Sequence, residues 1–238
     1  MKITGIEKLA KLAAKVRSVP AVGERAMYRA LNQTGAKVRT LAIKEVTSEL
    51  NLKTAYVRDK IWMLKAGPGR LQVDIIAERD DIRLTNYDAR QVTAPAVRAK
   101  GDSLRGIPGG RKQAGVSVRV GKGAPRKTIK SAFLLPLRAG KTSGGNGLGV
   151  FVRGSDLGGV GKIGSVTPTT RGGSRFNWKK GEFKQLYGPA VYQVFRRFKK
   201  HVLGEQGDLF GPSVNVQQML ADAFREQLRY ELTGSRKV

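Results

Sequence analysis

Between Ala89 and Gly181 the chain carries nineteen lysines and arginines against two acids, Asp102 and Asp156. The charge is thus not spread evenly along the chain. The stretch accounts for +17 of a formal net charge of +27. Charge of that size repels itself in a free monomer and is best tolerated beside a polyanion. A surface that needs only solubility mixes its signs, whereas single-sign blocks face a partner. Nucleic acid is the leading partner class on this ground.

The flanks are nearly balanced in charge and read as helices. At 238 residues and 40% hydrophobic content the chain is long enough for one large or two small cores. Pro20 suits a first helical turn, and Met27, Leu31, Thr34, Val38, Leu41, Val46 and Leu50 then keep one face mostly apolar. Arg25, Arg29, Lys37, Arg39 and Lys44 fall largely on the other faces. A shorter helix is expected after Asn51, burying Tyr56, Val57, Ile61 and Leu64 and ending before Gly67-Pro68-Gly69. Near the other end, Gly188 and Pro189 can open a helix whose stripe is Val191, Val194, Phe195, Phe198 and Val202, ending at Gly204. A last helix from about Ser213 to Leu232 buries Val216, Leu220, Ala223, Phe224, Leu228 and Leu232.

In the middle the period changes. "RLQVDIIAE" alternates Leu71, Val73 and Ile75 with polar residues, and "IRLTNY", "GVSVRV", "SAFLLPL" and "GVFVRG" are short β-rich runs bounded by Gly or Pro. From Ala139 to Gly173 there are twelve glycines and no sustained period, which predicts a loop that is mobile without a partner. The pattern predicts an α+β fold in a single domain of residues 1–238. Within it lie long N-terminal helices over 1–66, a central, mostly antiparallel sheet over 70–154, a mobile basic Gly-rich loop over 139–181, and two C-terminal helices over 188–232.

Catalytic chemistry finds little support. No cysteine is present, which removes disulfides, thiolate metal clusters and thiol nucleophiles. The single histidine, His201, lies among Lys and Arg with no acid nearby in sequence. Gly159-Val160-Gly161-Lys162-Ile163-Gly164 has the G-x-G-x-x-G spacing of a dinucleotide loop, but the following "SVTPTTRGG" cannot open the helix that the pyrophosphate needs. Gly140-Lys141-Thr142 resembles the end of a P-loop without its first glycine or its helix. Glu78, Asp80 and Asp81 would be needed for a metal nuclease, yet a strand end beside Arg79 and Arg83 reads as a solvated turn. A helix-turn-helix around Asn51-Leu52 would place Lys53, Thr54 and Arg58 on the recognition helix, but the first helix is too long for that motif. The start "MKITGIEKLAKLAAKV" spaces Ile3, Ile6, Leu9, Ala13 and Val16 along one helical face, with lysines that break any signal-peptide run, and no segment reaches membrane-spanning length. No enzyme, cofactor, metal or membrane association is expected.

Taken in order, "GERAMYRALNQTGAKVRTLAIKEV", "LNLKTAYVRDKI", "RLQVDII", "GVSVRVGKGAPRKTIKSAFLLPLRAG", "GVFVRG" and "KQLYGPAVYQVF" resemble the minor tail protein Z family of long-tailed bacteriophages, also called tail-completion proteins. The resemblance runs from about Gly23 to Leu232, with Leu186-Tyr187-Gly188-Pro189 its most specific piece. It implies a structural virion protein, assembled in the host cytoplasm, at the neck end of the tail. It also implies a homo-oligomeric ring, a hexamer favoured, that works with the tail terminator and other neck or tube proteins so that a finished tail joins a filled head. Non-specific phosphate attraction without base readout suits a ring around duplex DNA. The candidate counter-charges are Arg111, Lys112, Arg119, Lys122, Arg126, Lys127 and Lys130, with Arg171, Arg175, Lys179 and Lys180 as a second cluster. Acidic faces of neighbouring protein rings are the other expected target of the same residues. Leu186 and Tyr187 are the expected subunit-interface residues. A free nucleic-acid-binding protein, ribosome-associated or helix-turn-helix, is the alternative that charge alone would allow.

Overall fold

A computed structural model describes residues 2–3, 20–103, 106–136, 147–153, 167–169, 183–202 and 216–233. These residues hold four α-helices with antiparallel sheets, an α+β fold as the sequence pattern predicts. They divide into two compact units: residues 1–46, 54–78 and 192–238 make the first, and residues 47–53 and 79–191 the second.

The first unit is built on α1 (Pro20–Glu49), which belongs to it as far as Val46. Ala26, Ala30, Thr34, Val38, Ala42 and Val46 are fully or almost fully buried, a stripe at every fourth residue that marks one helix face. Met27 and Leu41, expected on that face, are only half-buried. The stripe is turned toward the small residues, which allows a closer approach than leucines would. Gly35 marks that approach: a β-carbon there would stand 2.7 Å from Val73 Cγ1.

After α2 (Thr54–Lys60) the expected continuation of helix through Leu64 does not occur. Ile61–Leu64 is strand β2 instead, pairing with β3 (Val73–Ala77), which pairs in turn with β1 (Lys2–Ile3). The run Ile-Trp-Met-Leu fits a pleated surface as well as a helix, and pairing with β3 decides between them. β3 alternates as expected, with Val73, Ile75 and Ala77 buried. Leu64, expected in the core, is exposed. Helix α3 (Val191–Val202) buries Val191, Val194, Phe195 and Phe198, and from Tyr192 it belongs to the first unit. Helix α4 (Val216–Thr233) buries Val216, Leu220, Ala223, Phe224 and Gln227, whereas Leu228 is half-buried and Leu232 exposed. Gln227 donates to Gln33 Oε1 at 3.1 Å, and Arg25 and Arg29 both pair with Glu231, so polar contacts join α1 to α4.

The second unit contains two sheets. In the larger, β8 (Phe133–Pro136), β9 (Leu148–Arg153), β11 (Phe183–Gly188) and β10 (Thr167–Thr169) lie side by side, and β4 (Ile82–Arg83) also pairs with β11. The other sheet has the order β5 (Arg90–Pro95), β6 (Arg111–Val118), β7 (Lys127–Ile129), with a bulge between Val92 and Thr93. Between β4 and β5 the chain makes a 3-10 helix, Leu84–Tyr87, whose Leu84 and Tyr87 are fully buried.

The element boundary at Gly188 differs from expectation. Gly188 ends β11, and α3 begins three residues later at Val191. A buried ring occupies the space above Gly188: a β-carbon would lie 2.5 Å from Tyr87 Cε2. The Tyr87 hydroxyl donates to the Pro189 carbonyl, so the Gly-Pro step serves as a seat for that ring rather than as a helix cap.

Candidate functional site

The first basic cluster falls on the sheet β5–β6–β7 and its turns. Arg111 and Lys112 open β6, Lys127 opens β7 opposite Val118, Lys122 sits in the turn between these strands, and Lys130 follows β7. Val116, Val118 and Ile129 are buried on one face. Lys127 pairs with Val118 and so shares that face, but it opens the strand and is exposed, as are Lys122 in the turn and Lys130 after β7. The turn bearing Lys122 is anchored from the chain just beyond α1, since Lys122 N–H donates to Glu49 O at 3.0 Å and Asn51 N–H to Val120 O at 2.8 Å.

Lysines and arginines behave differently here. Lys112, Lys122, Lys127 and Lys130 are exposed, and none of them forms an ion pair with another described residue. Arg90, Arg111 and Arg126 are engaged by the chain itself. Arg126, half-buried, donates through both terminal nitrogens to the carboxylate and the carbonyl of Asp88. Arg90 holds the same carboxylate at 3.1 Å. Asp88 closes the 3-10 helix in a left-handed conformation, φ 53°, which Asp tolerates better than most side chains. Arg111 donates to Thr93 Oγ1 at 2.6 Å and to Thr93 O at 3.0 Å. Arg119 is half-buried; its carbonyl accepts from Asn51 Nδ2 at 3.1 Å, and its Nε is buried without a hydrogen-bond partner among the described residues. A guanidinium offers a planar fork of donors that suits such internal clamps, whereas an ammonium is strongly hydrated and stays in water.

Beyond Pro95 backbone hydrogen bonds tie together the described residues of the tip between β5 and β6. Ala96 N–H donates to Gly110 O, Gly110 N–H to Ala99 O, and Asp102 and Ile107 exchange both backbone bonds. The tip exposes Arg98, Lys100 and, at 96%, Val97.

Leu186 has no exposed surface, being buried within the second unit, and Tyr187 is half-buried with its hydroxyl donating to Gln185 Oε1 at 3.0 Å. Of the two expected interface residues, Tyr187 alone offers surface. The cluster Arg171, Arg175, Lys179 and Lys180 and both nucleotide-loop look-alikes lie outside the described residues. The expected Gly-rich loop over 139–181 is described only at 147–153 and 167–169, where it forms strands β9 and β10 rather than loop, because both pair with β11. Glu78 is paired with Lys60 at 2.7 Å, and among the described residues no group of three or more His, Cys, Asp or Glu gathers as a metal site. The seven-residue α2 runs straight into β2, which does not make a recognition helix. No described helix is long and apolar enough to cross a membrane.

The family profile described as prophage minor tail protein Z (GPZ) matches residues 4–236, nearly the whole chain. The chain belongs to the minor tail protein Z family. No curated protein and no solved structure gives a match. As a minor tail protein Z the chain has a structural role in a phage tail, where its partners are other tail or neck proteins. Sequence reasoning about this minor tail protein missed Asp88 and Tyr87. Asp88 lies 38 positions from Arg126, and the one usable signal for Tyr87 was an apolar residue closing "IRLTNY".

Proposed function

We propose that the protein is a tail-completion subunit at the head-proximal end of the tail. It forms a homo-oligomeric ring, a hexamer favoured, acts with the tail terminator, and lets a finished tail join a filled head. Family membership supports the tail role. The reading of its charge rests on one observation, the contrast between Arg111 and Arg126, which are held by their own chain, and four lysines left in water. Lys112, Lys122, Lys127 and Lys130 act as counter-charges to phosphates of a duplex in the lumen, without base readout. Arg126 and Arg111 shape the surface that presents them.

The hairpin tip favours a second target. An almost fully exposed valine next to Arg98 gains nothing from a phosphate backbone. It suits an apolar pocket rimmed by acids on a neighbouring ring protein.

Tails grown without this protein and supplied with purified protein test both parts. Wild type restores joining to filled heads. The variant with Lys112, Lys122, Lys127 and Lys130 all changed to Gln binds duplex DNA with a log–log salt slope smaller by roughly 3 to 4. An unchanged slope removes the DNA contact, and tails that join heads equally well without the protein remove the completion role. Val97→Asp leaves that slope alone and weakens tail binding; unaltered tail binding removes the pocket.

A further inference from the structure

In the first unit the solvent face of the sheet β1–β3–β2 carries an apolar group along its edge strand β2. Trp62 and Leu64 are 41% and 42% exposed, and they stand across β2–β3 from Ile76 and Asp74. Charges at either end of this band are matched within the chain. Lys60 Nζ lies 2.7 Å from Glu78, and Arg70 lies 2.7 Å from Asp74. From Thr54 to Glu78 there are four basic residues and three acids, close to neutral in a chain of +27. The free edge of β2 is not open to an added strand along its length. Arg39 donates to the Ile61 carbonyl at 2.8 Å and to the Arg58 carbonyl at 2.9 Å.

We propose that a second copy of this chain docks on this face, with Trp62 and Leu64 at the centre of the contact. Charge selects the occupant. A polyanion or an acidic protein gains little here, because both ion pairs are internally compensated and four basic residues stand against three acids. Two copies that each carry +27 repel through their cationic surfaces and approach most cheaply where local charge is near zero. An apolar centre with a satisfied polar rim is also the composition of a protein–protein hot spot, in which Trp is among the most enriched residues. The capped edge directs the partner to the sheet face rather than to strand addition. The inference deepens the homo-oligomeric part of the proposed function and rests on that part.

Sedimentation of the full chain over a series of salt concentrations tests it. Wild type associates reversibly, and more tightly as salt rises, since screening removes cation repulsion and leaves the apolar contact. The double variant Trp62→Thr and Leu64→Thr keeps strand-forming residues at both positions. It dissociates about 100-fold more readily while its far-ultraviolet dichroism and melting temperature stay unchanged. A second measurement leaves the face intact: with Trp178→Phe, Trp62 is the one tryptophan remaining, and its quenching by acrylamide falls on association. Wild type that stays monomeric at every salt concentration overturns the proposal. So does a double-threonine protein that associates like wild type, or a Trp62 equally quenched in both states. Monomeric protein that still restores head joining would end this contact and leave the tail role standing. Associating protein that fails to restore joining would do the reverse.

Discussion

Gly188 lies against the ring of Tyr87, so close that any β-carbon at that position would enter the ring's own volume. Tyr87 is fully buried and tied by its hydroxyl to Pro189 O, so it cannot swing aside. Gly188→Ala is therefore expected to cost about 1–3 kcal/mol through overpacking. Tyr87→Phe, which removes the hydrogen bond alone, costs about 1 kcal/mol. Urea unfolding monitored by dichroism measures both, and a Gly188→Ala protein as stable as wild type would show that the ring has room to move.

Gly35 reverses an ordinary expectation. In an exposed helix interior Gly→Ala stabilises by about 0.8–1.0 kcal/mol. Here the new methyl would stand 2.7 Å from Val73 Cγ1 and 2.9 Å from Met63 Sδ. The thioether can shift, but Val73 is fully buried and cannot. Gly35→Ala is expected to lower stability by about 1 kcal/mol net, and a melting temperature above wild type would contradict it.

Arg126 and Lys127 are adjacent yet should respond in opposite ways. Arg126→Gln breaks the clamp on Asp88 and costs about 1 kcal/mol of stability, with little change in the salt dependence of duplex binding. Lys127→Gln leaves stability alone and lowers the salt slope by about 0.9. Paired unfolding and binding titrations on the two variants read this out. If Arg126→Gln alone altered the slope, the arginine would be the phosphate contact.

Acid should loosen the α1–α4 contact. The Arg25 side chain bonds the Glu231 carboxylate and, with the Arg29 charge, holds its pKa below the ordinary 4.5, against desolvation acting the other way. A carboxyl with a folded pKa below its unfolded value adds stability that is present above the unfolded value and lost as pH falls through the folded one. Wild type should thus exceed Glu231→Gln by a constant margin down to about pH 4.5 and by a shrinking margin below it. A margin independent of pH in that range would mean that the ion pairs contribute nothing to folding.

Much of this architecture was legible in local pattern. The 3.6-residue period before Leu50 and after Pro189, and the alternation through Val73 and Ile75, report burial of one face and need no distant partner. Ile61–Leu64 was misread as helix because four apolar residues fit either period, and only pairing with Ile75 and Ile76 decides. Of the candidate site, the exposed lysines were readable as charge. The reassignment of Arg126 was not, since its partner Asp88 is set by a turn geometry that no spacing rule encodes. Gly188 was given a helix-cap role on local grounds, and the ring that requires it comes from a segment about a hundred residues earlier, as the Tyr87 contact to Pro189 shows.

The first unit is assembled from both ends of the chain, and this governs the order in which it can be made. Residues 79–191, most of the second unit, leave the ribosome before α4 exists. Arg25 must wait for Glu231, which is synthesised 206 residues later. Until then Arg25, Arg29 and Gln33 lack their partners on α4, and contacts of such long sequence separation form slowly. Completion of the first unit therefore waits for the synthesis of α4, and a chain stopped before it cannot offer a finished first unit to a growing particle.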